Sequence, residues 1–305
     1  MKYLISALIV LITLTAVLLL VSPEKKRITN TVRNDSGSEF IQLSEGWTEY
    51  ELAGPENGEP VILIHGLSVP MFDWDRQFYI LAESGYRVLR YNHYGRGLSD
   101  RPRGNYDAGR YIRQIEDLMA SQNWTRTHII AHSMGGAIAA EFVKAHPESV
   151  DHLVLLAPAL YMAEGNTGIT LIRIPLLGDI MAMTALSGLL ASRAEALFEA
   201  ARIPEAEEYK NAFREQIVYY GFSRSVKSLF RHDLVKDLSD AYRTLDGRKT
   251  LLIWGSRDES IPEDHIKTIE SLVPDLELKV LDDVGHMLNM EASQTVNPLI
   301  LDFLK

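Results

Sequence analysis

The chain has 305 residues and a net charge of −10, with 46% hydrophobic and 24% charged residues. This acidic balance argues against a nucleic-acid partner, because nucleic-acid-binding surfaces usually show as basic clusters. The chain contains no cysteine, which excludes disulfides, thiolate catalysis and cysteine-ligated metals.

The first 22 residues predict a membrane anchor. From Tyr3 to Ser22 the sequence carries no charge, and a helix of about 20 residues rises about 30 Å, the thickness of a bilayer core. A cleaved signal peptide and a buried helix are the alternatives. A signal peptide has a shorter apolar region, of about 7–15 residues, and a small-residue cleavage site. Because the run is longer and Pro23 follows it directly, we expect residues 1–22 to remain as a single-pass N-terminal anchor in a membrane.

The orientation of this anchor stays open. Lys25, Lys26 and Arg27 follow the span whereas Lys2 precedes it, which favours a cytoplasmic folded domain. The segment otherwise looks like a signal-anchor, which would export the residues after it.

A short polar segment and a hairpin are expected next. Residues 23–38 are polar and charged and predict a tether between membrane and fold. Strands are expected at 40–43 and 47–52, separated by a turn at Glu45-Gly46. The apolar run 61–64 suits a fully buried strand of a parallel sheet.

Helices and strands then alternate along the chain. Helices are expected at 73–84, 106–122 and 134–145, and strands at 86–91, 127–131, 152–156, 250–254 and 276–281. Such alternation predicts an α/β fold with a mostly parallel, doubly wound sheet. We assign residues 39–158 and 242–305 to this core.

Residues 159–241 predict a helical insertion, because the strand pattern stops there. It interrupts the fold at the carboxyl ends of the strands, where ligands bind in open α/β sheets, so we interpret it as a cap over a site. Extra core is the alternative. The insertion carries an apolar segment that we expect to line a binding pocket, formed by Ile169, Leu171, Ile172, Ile174, Leu176, Leu177, Ile180, Met181 and Met183.

Ser133 has the surroundings of a nucleophile at a sharp strand-to-helix turn. It follows an apolar strand and precedes a helix rich in Ala and Gly. Such a turn needs small residues two positions either side of the serine, and Ala131 and Gly135 occupy them. A helix-capping serine is the alternative.

A serine nucleophile needs a base, and the base needs an orienting acid. His286 comes just after the last predicted strand, and Asp258 comes four residues after the strand 250–254. Asp282 and Asp283 are rival acids, but they lie too close to His286 along the chain for easy geometry. A helix-entry role for Asp258 and a solvent-exposed loop position for His286 are the alternatives.

The order Ser133, Asp258, His286 resembles that of the α/β-hydrolase superfamily, in its branch of capped serine esterases, lipases and carbon–carbon bond hydrolases. The resemblance covers roughly residues 40–158 and 242–305. It implies that the backbone N–H groups of Leu67, in His65-Gly66-Leu67, and of Met134 form an oxyanion hole. The motif Gly95-Arg96-Gly97-Leu98-Ser99 also resembles the family, although Asn92 stands where the family usually has an aspartate.

The remaining candidate groups have structural interpretations. His65 and His132 are expected to hold loops beside the site. Gly95-x-Gly97 is not a dinucleotide motif, because Asp100 occupies the place of the third glycine. The nine histidines show no metal-binding spacing, so we expect no metal and no cofactor.

The sequence therefore predicts a serine-dependent carboxylic ester hydrolase that acts through an acyl-enzyme on Ser133. The apolar insertion and the anchor favour a small-molecule or lipid ester, such as a monoacylglycerol. Carbon–carbon hydrolysis of a diketone-like acid is the enzymatic alternative, and a basic pair in the cap would favour it. A non-catalytic, membrane-tethered binding protein on the same scaffold is the alternative of another class.

Overall fold

The computed structural model describes residues 22–305. The predicted anchor therefore lies outside the described residues, except for Ser22. Within the described part, no single helix is long and apolar enough to cross a membrane. The helices Thr167–Arg173 and Leu177–Thr184, which are bent by 113° relative to each other, reach the length and apolar composition of a membrane span only when taken together.

In the described part of the chain, eight strands form one sheet in the order β1-β2-β4-β3-β5-β6-β7-β8. The pairs β1–β2 and β2–β4 are antiparallel, and the other pairs are parallel. The strands are β1 (Glu39–Leu43), β2 (Gly46–Ala53), β3 (Pro60–Ile64), β4 (Arg87–Tyr91), β5 (Thr127–His132), β6 (Val150–Leu156), β7 (Thr250–Gly255) and β8 (Glu277–Leu281). The α/β fold with a mostly parallel sheet is thus confirmed.

Thirteen α-helices within residues 22–305 accompany the sheet. They are α1 (Asn30–Asp35), α2 (Asp75–Glu83), α3 (Ala108–Ser121), α4 (Met134–Ala145), α5 (Thr167–Arg173), α6 (Leu177–Thr184), α7 (Leu186–Ala200), α8 (Ala206–Ile217), α9 (Phe222–Arg231), α10 (Ser239–Arg243), α11 (Glu263–Leu272), α12 (Leu288–Glu291) and α13 (Ser293–Leu304). One group of helices, α3, α4, α10 and α11, is linked by successive contacts, and α2, α12 and α13 form another.

The central strands are buried along their length. Every residue of β5 and β7 is buried, as are residues 61–64 of β3. Continuous apolar runs of this kind are typical of parallel strands covered on both faces. Because these strands run parallel, the carboxyl ends of β3, β5 and β7 lie at one edge of the sheet. The loops that carry the candidate site begin at this edge.

Between β6 and β7 the described chain forms helices α5–α10 and no strand, apart from an isolated bridge between Tyr161 and Asp237. The helices α5 and α6 are separated at residues 174–176, where Pro175 occurs and Leu176 has a φ of 63°.

Residues 23–38, expected to be a tether, pack against the fold. The Glu24 carboxylate accepts hydrogen bonds of 2.6 Å from the backbone N–H groups of Gly221 and Ser223. The Thr29 side chain caps α1, and Arg33 is buried and pairs with Asp100. A polar composition suggests a linker, but it does not reveal partners that lie far away along the chain.

Candidate active site

Ser133 occupies a strained turn between β5 and α4. Its φ is 55° and its ψ is −119°, a conformation that costs a non-glycine residue about 1–3 kcal/mol. A Cβ atom at Gly135 would lie 2.2 Å from the Ile64 carbonyl oxygen, and one at Gly136 would lie 2.6 Å from the Cβ of Pro158. The helix therefore approaches its neighbours too closely for larger residues.

The structure brings Ser133, His286 and Asp258 together. Ser133 Oγ lies 3.1 Å from His286 Nε2, and His286 Nδ1 lies 2.8 Å from Asp258 Oδ2. The other carboxylate oxygen of Asp258 accepts hydrogen bonds from the N–H groups of Ser260 and Ile261. These contacts form the chain nucleophile–base–acid that the sequence pattern predicts, and their catalytic roles remain predictions.

Asp258 is held in its ionised form. Burial raises the pKa of its carboxyl group, but His286 and the two backbone N–H groups together lower this pKa by more than burial raises it. The net shift is downward. The rival Asp283 is exposed and pairs with Arg257, and Asp282 is also exposed. Asp258 is thus the carboxylate in contact with the histidine.

The loop after β3 is fixed on both sides of Leu67. His65 Nδ1 donates to the Gly66 carbonyl oxygen at 2.8 Å, which orients the peptide that carries the Leu67 N–H. The fully buried Arg96 donates from Nε to the Leu67 carbonyl oxygen at 2.8 Å. The motif around Arg96 was visible in the sequence, but this role was not, since nothing local links residues 29 positions apart.

The predicted oxyanion-hole residues lie next to Ser133. Leu67 lines the same cavity as Ser133, and a Cβ at the adjacent Gly66 would lie 3.2 Å from the Ser133 Cβ. Met134 is the first residue of α4, where a backbone N–H has no acceptor within the helix. Both N–H groups are therefore in segments that border the nucleophile, and their role in stabilising an oxyanion remains a prediction.

His65 and His93 are neutral structural groups. Burial lowers the pKa of His65 well below its usual range and that of His93 to about 3. His65 Nε2 accepts a hydrogen bond from the His93 N–H, and His93 Nε2 donates to the His65 carbonyl oxygen. The two rings thereby join the ends of β3 and β4.

His132 belongs to a buried polar network that the sequence does not reveal. Its Nδ1 lies 2.7 Å from Asp73 Oδ2, and its Nε2 lies 3.0 Å from the His286 carbonyl oxygen. Asn289 Nδ2 donates to Asp73 Oδ1 at 2.9 Å, and Gln77 donates to the Asn289 carbonyl oxygen at 2.8 Å. The network connects the nucleophile turn with the segment that carries His286.

Glu49 supplies the charge that Asn92 lacks. Asn92 Nδ2 donates to Glu49 Oε2 at 2.6 Å, and its Oδ1 accepts from the Met71 N–H at 2.7 Å. The same Glu49 oxygen accepts from the Leu98 N–H at 2.6 Å. The negative charge at this turn thus comes from β2.

A cavity of about 540 Å³ opens beside Ser133 and His286. Its walls are mostly apolar and come from the loop after β6, from α5 and from α7. Of the nine apolar residues expected to line it, only Ile169 and Ile172 do so. Five others lie exposed on the surface: Leu171, Ile174, Leu176, Leu177 and Ile180. Helix α7 contributes the missing apolar wall through Leu186, Leu189, Leu190 and Leu197.

Few charged side chains line this cavity. Arg193, on α7, is the arginine among the lining residues, and Glu164 and Glu259 are the carboxylates. Within residues 22–305, no group of three or more His, Asp or Glu side chains is arranged to hold a metal ion.

Comparison with known proteins places this chain in a known family. A family model described as the α/β hydrolase fold matches residues 59–293. The chain is similar to a 2-hydroxy-6-oxononadienedioate/2-hydroxy-6-oxononatrienedioate hydrolase of Cupriavidus pinatubonensis, at 28% identity over 88% of this chain and 95% of that protein.

Two solved structures share the fold. An enol-lactonase from Burkholderia xenovorans LB400 superposes with a TM-score of 0.75 at 18% identity, over 87% of this chain and 99% of that one. A carboxylesterase structure from Nitrososphaera gargenis gives a TM-score of 0.71 at 23% identity, over 87% and 97%.

Proposed function

The chain belongs to the α/β-hydrolase fold family, and we propose that it is a serine hydrolase that cleaves carboxylic esters through an acyl-enzyme on Ser133. The observation that carries this proposal is that Ser133, His286 and Asp258 are hydrogen-bonded in sequence, and that Ser133 and His286 line the apolar cavity.

In the proposed mechanism Ser133 Oγ attacks the ester carbonyl carbon while His286 Nε2 takes its proton. Asp258 accepts from His286 Nδ1, which leaves Nε2 free to act as the base, and its negative charge stabilises the imidazolium that forms. The same histidine gives the proton to the leaving alcohol and then activates the water that hydrolyses the acyl-enzyme.

The tetrahedral intermediate carries a negative oxygen that needs donors. The N–H groups of Leu67 and Met134 are the proposed donors, and each such donor contributes about 2.7–4 kcal/mol to transition-state stabilisation. The contacts of His65 and Arg96 with the peptides on either side of Leu67 support this assignment, because they hold the loop before substrate binds.

The substrate we propose has a sizeable apolar part, as in a monoacylglycerol or another lipid ester. A cavity of about 540 Å³ with leucine and isoleucine walls accommodates an acyl chain, and each Å² of buried apolar surface contributes about 25 cal/mol. A series of p-nitrophenyl esters tests this, and we expect kcat/KM to rise from acetate to octanoate. A clear preference for acetate would contradict the apolar substrate while leaving the ester hydrolase intact.

Fluorophosphonate labelling tests the nucleophile. We expect the native protein and Ser68→Ala to be labelled and Ser133→Ala to remain unlabelled. Ser68 is a matched control, since it lines the same cavity. Absence of labelling in the native protein would favour the alternative of a binding protein on a hydrolase scaffold.

Carbon–carbon bond hydrolysis is a second candidate, favoured by Arg193 in the cavity wall and by the related dienedioate hydrolase. A carboxylate-bearing substrate would pair with that guanidinium. However, Arg193 faces the cavity with two glutamates rather than a second cation, which favours esters. Two results together would decide for this candidate. The native protein would turn over 2-hydroxy-6-oxononadienedioate faster than p-nitrophenyl octanoate, and Arg193→Gln would raise KM for the dienedioate only.

We also propose that residues 1–22 anchor the protein in a membrane, because residues 3–22 form an uncharged apolar run. Membrane fractions washed with alkaline carbonate should retain the full chain. Protease access in intact and opened cells then reports which side the folded domain occupies. Release of the chain by carbonate would contradict the anchor.

A further inference from the structure

A second cavity, of about 560 Å³, lies between the N-terminal segment, the loop after β4 and the start of α9. We call it the arginine cavity, and it shares no lining residue with the active-site cavity. Its walls are formed by Glu24, Arg27, Ile28, Asp100, Arg101, Arg103, Tyr220, Gly221 and Arg224.

Four arginines line this cavity, and none of them pairs with a carboxylate of the described residues. Within residues 22–305, Arg27, Arg101, Arg103 and Arg224 form no salt bridge, although the chain as a whole has a net charge of −10. Arg224 donates to the carbonyl oxygens of Pro102 and Arg101, and the Arg27 guanidinium lies 5.9 Å from the centre of the Tyr220 ring. Positive charge is therefore concentrated where the protein supplies little to balance it.

The two carboxylates of the cavity are already engaged. Glu24 accepts hydrogen bonds from the N–H groups of Gly221 and Ser223 at the start of α9. Asp100 pairs with Arg33, outside the cavity lining, and accepts from the Trp47 N–H at 2.8 Å. Counted with these two carboxylates, the lining still carries two more positive than negative groups.

Arg101 is a partly buried cation whose hydrogen-bond partners are neutral. It donates to the carbonyl oxygens of Ser99, Gly97 and Gln216, and its Nε is buried without a partner. Burial lowers the pKa of its guanidinium to about 10, which reflects the cost of a charge removed from water. An anion in the cavity would offset that cost.

Gly221 lets two of these arginines approach each other. Its φ is +97°, and a Cβ there would lie 3.0 Å from Arg224 Nη2 and 3.1 Å from the Cβ of Arg101. A side chain at this position would therefore collide with the Arg224 guanidinium and with the aliphatic stem of Arg101.

We propose that the arginine cavity binds a phosphate group, carried either by a phospholipid headgroup or by a soluble phosphate ester. The planar guanidinium fork matches phosphate oxygens through paired hydrogen bonds. The surplus of two positive groups matches a phosphate dianion, and the volume leaves room for the group that the phosphate is attached to. This site is independent of the proposed ester hydrolysis.

Two binding measurements on the full chain in detergent test the site and its source. Calorimetric titration with inorganic phosphate and glycerol 3-phosphate at constant ionic strength reports a soluble ligand. Native mass spectrometry from mixed micelles of phosphatidylcholine and phosphatidic acid reports a headgroup, through selective retention of phosphatidic acid.

The decisive variant is Arg27→Gln/Arg103→Gln. Both side chains are exposed and form no hydrogen bond to another residue in the described chain, so the fold should tolerate their loss. The matched control is Arg126→Gln/Arg243→Gln, which removes the same charge from arginines that are 61% and 58% exposed elsewhere.

We expect the decisive variant to weaken phosphate binding or phosphatidic acid retention by about tenfold or more, and the control to leave it unchanged. Binding of the soluble ligands identifies a soluble source, and retention of phosphatidic acid alone identifies a headgroup. Absence of both, or equal loss in the two double variants, would overturn the proposal.

Discussion

His132 Nδ1 lies 2.7 Å from Asp73 Oδ2 in the core, while its Nε2 lies 3.0 Å from the carbonyl oxygen of His286. Burial lowers the pKa of His132, but Asp73 and the His286 carbonyl together raise this pKa by more than burial lowers it. The net shift is upward. A protonated His132 donates from both ring nitrogens. The residue before the nucleophile thereby holds the segment that carries the base.

This pair makes stability depend on pH. Because the folded-state pKa of His132 is raised, its contribution is fully present below the unfolded value of about 6.5 and is lost as pH rises through the folded pKa. We expect Asp73→Asn to lower the free energy of unfolding by about 3 kcal/mol at pH 5 and by less at pH 9. Urea denaturation at both pH values measures this, with the exposed Asp282→Asn as control. An equal loss at both pH values would contradict the linkage.

Asp258 is expected to act on catalysis through the orientation of His286. Replacement by Asn keeps the size of the side chain but favours the wrong imidazole tautomer, so kcat should fall by about 10⁴. Asp282→Asn, four residues before His286 and exposed, should retain full kcat. Equal activity of Asp258→Asn and the native protein would remove Asp258 from the mechanism.

Arg96 is expected to be a positioning residue for the loop that carries Leu67. Arg96→Lys retains the charge but loses the fork that contacts the Leu67 carbonyl and Ser225 Oγ. Because a misplaced donor loses part of its effect on the transition state, kcat should fall by about 10–100-fold with little change in KM. Arg126→Lys is the matched surface control. A rise in KM at constant kcat would instead assign Arg96 to substrate binding.

Substitution by alanine is expected to have opposite effects on stability at Gly135, next to the turn at Ser133, and at Gly188. A Cβ at Gly135 would lie 2.2 Å from the Ile64 carbonyl oxygen, whereas one at Gly188, in α7, would meet no atom within 4 Å. Gly135→Ala should therefore destabilise the fold by about 3 kcal/mol or more, and Gly188→Ala should stabilise it by about 0.5–1 kcal/mol. Thermal unfolding of the two variants distinguishes them, and a neutral Gly135→Ala would contradict the close approach of α4 to β3.

The sequence predicted the sheet well because its central strands are buried on both faces. Runs such as residues 61–64 are then continuous and apolar, which marks them clearly. The sequence could also place Ser133, Asp258 and His286 near one another, since each follows one of the parallel strands β5, β7 and β8 and the carboxyl ends of parallel strands meet at one edge.

Residues that act through distant partners could not be found in this way. Asp73 and His132 lie 59 positions apart, and neither has a local pattern that indicates the other. The apolar insertion misled for a different reason. Its composition indicates burial, but composition does not tell which residues of short helices, or of the segment between them, face the cavity. Leu176, between α5 and α6, is 76% exposed.

The difference between lining and exposed leucines gives a test of substrate length that rests on the proposed ester hydrolysis. Leu186 lines the cavity and is 2% exposed, whereas Leu176 lies outside it. Leu186→Phe reduces the space available to an acyl chain, at a stability cost of about 1–3 kcal/mol. We expect it to lower kcat/KM for p-nitrophenyl octanoate while that for the acetate is retained, and Leu176→Phe to change neither. Equal losses for both esters would mean that the acyl group does not bind against α7, and would direct the search to the wall formed by Ile169 and Ile172.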